Sequence, residues 1–132
     1  MDFKDVFNDL AERYPQWIDR IHMLRLKDAV GVQPVENDGQ KIYYNSRLLK
    51  YLTHDTQLFY AAQQLLHIQL NPYARGAGKD PLVWKRASDA VVNAMLHADG
   101  FVLPENAVQV PDALEHSAEE MYTVLAALAQ EQ

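Results

Sequence analysis

The sequence predicts an α+β fold, mostly helical, with one small antiparallel sheet. Three observations carry this. Apolar residues recur at helical spacing near both ends and through the middle of the chain. The turn signal Asn37-Asp38-Gly39 lies between short strand-like runs. The chain has 132 residues, 48% of them hydrophobic, which suits one domain over residues 1–132. A chain of this size buries roughly two-thirds of its unfolded surface, enough for one core.

The first helix is expected over Phe3 to Tyr14, with Phe3, Val6, Phe7 and Leu10 on one face. Pro15 breaks or restarts it, and Trp17, Ile18 and Ile21 continue the apolar face. Met23 to Leu26 and Val30 to Val32 are short and strand-like. Pro34 cannot donate to a ladder, so it belongs on an edge or at a strand start. Lys41-Ile42-Tyr43-Tyr44-Asn45 is the strand beyond the turn. Ser46 is a candidate cap for a short helix, Arg47 to Leu52. A longer helix starts at Thr53 or Asp55 and runs to Leu70, where Asn71-Pro72 ends it. Tyr73 to Lys79 is a loop. Asp80 caps and Pro81 opens the next helix, which runs to Ala98 with Gly100 as its stop. Residues 101–116, with Pro104 and Pro111, are irregular. Ser117-Ala118-Glu119-Glu120 is a capping-box pattern. It opens a last helix with Met121, Val124, Leu125 and Leu128 on one side.

Composition excludes several classes. No apolar run approaches the roughly 20 residues of a membrane span. The N-terminus lacks the basic and apolar regions of a signal peptide. There is no cysteine, hence no disulfide and no thiolate metal site. A cytoplasmic location fits. Residues 1–86 hold all 12 Lys and Arg against 10 Asp and Glu, whereas residues 87–132 hold 8 acids and no Lys or Arg. So cation-poor a C-terminal third argues against a nucleic-acid surface, since phosphate contacts need cations. It is read as a solvated acidic face or a docking surface for a basic partner. There is no Gly-rich phosphate loop and no nucleophile elbow.

Chemistry-bearing residues follow in a definite order. Asp38-Gly39 leads to Ile42-Tyr43-Tyr44-Asn45. Gln63-Gln64-Leu65-Leu66-His67 lies on the long helix, and Arg75 follows it. Then come Trp84-Lys85-Arg86-Ala87-Ser88-Asp89 with Asn93, Gly100-Phe101-Val102-Leu103-Pro104, and Ser117-Ala118-Glu119-Glu120-Met121-Tyr122. Over residues 20–125 this order resembles the metallopeptidase domain that precedes von Willebrand factor A-like domains in many bacterial proteins. The resemblance implies a zincin-like, specifically gluzincin-like, fold with a metal-site helix. It also implies that Gln63 and Gln64 replace the first histidine and the glutamate of an H-E-x-x-H motif, leaving His67. The spacing matters because residues i and i+4 share a helix face, so two imidazoles meet one zinc. The glutamate takes a proton from the metal-bound water. A glutamine can do neither job: its amide oxygen is a poor zinc donor and its side chain is no base. Pro72 stands near where many members carry a further histidine.

No catalytic residue is therefore expected; Gln63, Gln64 and His67 are relict positions. No cofactor is expected, with zinc required only if the domain is active. His67, Asp89 and His97 are the remnant donors for a different metal site. Asp89, Asn93 and His97 are four apart and share a helix stripe that faces His67 across a helix pair. The structural alternatives are plain. His67 is a partly buried histidine bonded to Asp89 or a carbonyl, Asp89 and Asn93 are hydrogen-bonding residues, and Trp84 is a core anchor. Arg75 pairs with an acid or is solvated. His22, His54 and His116 are surface or turn residues. The reading is a pseudoenzyme, a metallopeptidase-like domain that binds or scaffolds a partner protein without nucleic acid or membrane. The alternatives are an active peptidase with an unusual ligand set, or a regulatory domain of an ATPase-linked assembly.

Overall fold

The apolar face read at the N-terminus forms α1 (Phe3–Arg13), whose Phe3, Val6, Phe7 and Leu10 are all buried. Each such side chain contributes roughly 1.5–3 kcal/mol on leaving water. The computed structural model describes residues 3–70 and 75–130. It divides into two compact units, Met1–Leu70 and Asn71–Gln132.

In the first unit a 3-10 turn at Pro15–Trp17 and α2 (Ile18–Met23) lead into the sheet. The strands are β1 (Arg25–Asp28), β2 (Val35–Asn37) and β3 (Lys41–Tyr44), in the order β1-β3-β2. The antiparallel expectation holds for β2 and β3 and fails for β1, which pairs parallel with β3. The physical reason lies in residues 29–34. Val30-Gly31-Val32 does not form the expected strand. The Asn45 amide donates to the carbonyls of Val30 (3.0 Å) and Val32 (3.3 Å), groups a ladder would otherwise use. The chain thus loops back through a cis Gln33–Pro34 bond, and β3 takes the place beside β1. Pro34 precedes the edge strand β2, as expected.

The hairpin turn is built by side chains. Asn37 Oδ1 accepts from Gly39 N (2.9 Å), and Asp38 Oδ1 accepts from Gln40 N (2.9 Å) and Lys41 N (2.7 Å). Gly39 has φ of 93°, a region that glycine enters at no steric cost. The inner sheet face places Ile42 and Tyr44 in the core with Val35, and the Tyr44 ring lies 5.3 Å from Phe3.

Asn45, not Ser46, caps α3 (Ser46–Leu49), its oxygen accepting from Arg47 N at 3.1 Å. Ser46 instead donates to Asp28 through both its backbone N and its hydroxyl. Thr53 then caps α4 (His54–Leu70), taking Thr56 N at 3.2 Å. Leu58, Phe59, Ala61, Ala62 and Leu65 are buried along α4, and α4 packs against α1 and β2. The expected stop at Asn71-Pro72 and the start of the following loop lie outside the described residues.

In the second unit α5 (Pro81–Ala98) starts as the sequence requires, with Asp80 Oδ1 accepting from Leu82 N and Val83 N. It stops at Gly100, φ 93°. A single 3-10 turn, Ala113–Glu115, interrupts the irregular stretch. The last helix, α6 (Ala118–Gln130), opens on the capping box: Ser117 Oγ accepts from Glu120 N while Glu120 accepts from Ser117 N. Ala87, Ala90, Ala113 and Met121 form the core of this unit, with Val108, Val110 and Leu125 packed on it. The expected apolar side of α6 is only half realised. Met121 is buried, but Val124 and Leu128 are exposed.

Candidate functional site

Gln63, Gln64 and His67 sit on the last turns of α4. Its polar residues are drawn inward because the apolar positions beside them are core. Gln64 is 6% exposed and His67 9%, while Gln63 is half-buried. Burying a carboxamide requires a partner. Gln64 finds one in Asn37, whose Nδ2 donates to Gln64 Oε1 at 2.5 Å. The Asn37 side chain thus holds the hairpin turn with its oxygen and α4 with its nitrogen. About two turns earlier Gln57 does similar work, donating to the carbonyls of Leu49 (2.9 Å) and Leu52 (3.2 Å). Leu49 O also accepts from Leu52 N at 2.9 Å, so Gln57 reinforces the end of α3 and the turn after it.

The other named residues lie in the second unit. Asp89 and Asn93 are buried on α5, but His97 is exposed. Each four-residue step advances about 40° around a helix, so the stripe turns out of the core before it reaches His97. Asp89 accepts from Lys85 at 2.9 Å, an i,i+4 pair. Asn93 Nδ2 donates to Val108 O at 3.0 Å and anchors the irregular stretch. Arg75 pairs with Glu119 through two hydrogen bonds, one of them 2.8 Å from Nε. This arginine holds the Glu119 carboxyl down to about 2. Trp84 is a buried ring. It is 7% exposed, packs edge-on to Tyr122 at 6.1 Å and carries Lys79 Nζ 5.2 Å from its ring. Gly76 lies so close that a Cβ there would sit 2.2 Å from the indole nitrogen. Tyr122 in turn takes Asp80 N at 3.0 Å on its hydroxyl. His54 and His116 each lie near one acid, Asp9 at 3.2 Å and Glu120 at 3.6 Å, and His22 is exposed.

A family-type zinc would need three protein donors on or near α4. The donor chemistry does not fit. The motif turn offers one imidazole and two neutral carboxamides, and one amide oxygen is held by Asn37. Among the described residues neither unit holds a group of three or more His, Asp or Glu side chains placed to bind a metal.

The model of a family described as "Putative metallopeptidase domain" matches residues 8–132. The chain belongs to this family. No curated protein and no solved structure matches it. In this member of the metallopeptidase-domain family, most of the ordered motifs serve the fold. Asp38-Gly39 shapes the turn and Asn45 caps α3. Trp84 and Tyr122 pack together, Arg75 meets Glu119, and Ser117 meets Glu120. Two partners escaped the sequence reading. Asn37 was read only as a turn former, although an asparagine has a second end free to donate. Glu119 was hidden beside Glu120, whose capping role already explained an acid there. An arginine left without an acid was the available signal.

Proposed function

We propose that this domain is a catalytically inactive member of the metallopeptidase-domain family and serves as a binding or scaffold module for a partner protein. One observation carries the reading. At the position where the family motif needs a proton acceptor, Gln64 is buried and bonded to Asn37 at 2.5 Å. A carboxamide used as a strut between helix and hairpin is not available to activate water. Gln63 supports the same view, since its neutral oxygen is a weak zinc donor. Among the described residues no helix is long and apolar enough to cross a membrane, which is compatible with a role away from the bilayer.

Metal content tests the reading. Purified protein, dialysed and analysed by elemental mass spectrometry, should carry no stoichiometric zinc and cleave no peptide in a metal-dependent way. Gln63→His should bind zinc roughly tenfold or more tightly than wild type in calorimetry, because it restores a second imidazole one turn before His67. Gln64→Glu alone should leave zinc affinity unchanged. One zinc per wild-type chain, lost on His67→Ala, would establish the active-peptidase reading instead.

A further inference from the structure

We infer that β1 is a docking edge for an extended, acidic protein segment, which adds to the sheet as a fourth strand. The backbone comes first. β1 is an outer strand of the order β1-β3-β2. Ala29 N donates to Tyr44 O at 2.7 Å, and this sets the phase of the parallel ladder. Arg25, Lys27 and Ala29 turn their backbone groups to β3. Leu26 and Asp28 therefore turn theirs outward. Among the described residues no backbone group bonds to Leu26 or Asp28 from the open side. Among the described residues the strand is open to solvent: Arg25, Lys27 and Asp28 are exposed and Leu26 is half-buried. The exposed apolar side chains Met23 (82%) and Val30 (69%) bracket it.

Charge selects the occupant. Arg25 stands directly beside Lys41 in the register, with Lys27 next along the same face. Like charges so placed repel, and among the described residues none of the three makes an ion pair. Basic residues on an edge also deter chance pairing, but they do not deter an acidic strand. A second copy of this chain is the wrong occupant. The antiparallel registers that pair most of β1 with its own copy through the outward groups set Leu26 opposite Leu26 or opposite Asp28. The first places Arg25 against Lys27, and the second places Lys27 against its own copy. An incoming strand with carboxylates at alternate positions meets Arg25 and Lys27 favourably while its backbone bonds Leu26 and Asp28. This docking is independent of any chemistry on α4.

A synthetic peptide of alternating Val and Glu is the probe, and the same peptide with Lys for Glu is the control. The acidic peptide should bind the intact protein and slow amide exchange at Leu26 and Asp28. The basic control should bind roughly tenfold more weakly or worse. Leu26→Pro removes an outward donor at an edge position that tolerates proline, and should abolish the exchange protection at Asp28. Arg25→Glu with Lys27→Glu, which keeps the backbone, should reverse the preference between the two peptides. Failure of the acidic peptide to bind overturns the inference. So does binding that leaves both amides unprotected, which would be surface adsorption. Self-association of the protein that Leu26→Pro abolishes would assign the edge to a second copy and overturn it as well.

Discussion

Glu119 shows how a single side chain ties solution behaviour to structure. Its carboxyl, ordinarily near 4.5, is held at about 2, first by hydrogen bonds from Arg75. A depressed folded value means that the folded state takes up the proton less readily than the unfolded state. The resulting stabilisation is fully present above the unfolded value and is lost as pH falls through the folded one. The window therefore runs from 4.5 down to about 2. Both partners are about a third exposed or more, so solvent screens the pair and its worth at neutral pH is small. Urea denaturation of wild type and Glu119→Gln across that window should show the wild type losing stability more steeply with acid. Parallel curves would mean that the ion pair does not persist in solution. Gln64 is a second such residue. Gln64 reads from the sequence as a lost base, whereas its bond to Asn37 gives it present work that spacing alone does not reveal.

At the scale of elements, the sequence was most legible where one residue satisfies one nearby backbone group. Asp80-Pro81 and Ser117-x-x-Glu120 open α5 and α6 as read, and Gly100 closes α5. These are contacts across a few residues, so they are written locally. The sheet was less legible. Its hairpin follows from Asp38-Gly39, but the parallel pairing of β1 depends on Asn45 reaching back 15 and 13 residues to Val30 and Val32. No periodicity encodes such a reach. Ser46 is not the cap because the Asn45 oxygen beside it takes Arg47 N. The capping box on α6 lends itself to direct measurement. Ser117→Ala should cost about 1 kcal/mol in chemical denaturation, and Ser117→Asp, which keeps an acceptor, should recover most of it. Equal loss in both variants would show that the hydroxyl contributes through something other than capping.

At the scale of the molecule, the division into two units was not legible. Composition and length describe one domain-sized chain, and its apolar residues do not say which core they join. Phe3, Phe7 and Leu10 pack within the first unit and Ala87, Ala90 and Met121 within the second. The residues singled out in the sequence are divided likewise, with Gln63, Gln64 and His67 before the boundary and Arg75, Trp84, Asp89 and Asn93 after it. The chain's two tryptophans fall one in each unit, in dissimilar surroundings. Trp17 stacks on Tyr14 at 4.9 Å and is partly open to solvent. Trp84 is buried against Gly76 and Tyr122 beneath the Lys79 ammonium. Nature has thus installed a separate optical probe in each half. With Trp17→Phe, emission reports Trp84 alone and should shift to the red on denaturation as that ring leaves its apolar packing. With Trp84→Phe, the remaining signal follows Trp17, already partly wet, and should shift less. If the two midpoints in urea differ, the halves melt as distinct cooperative bodies; if they coincide, one transition governs both.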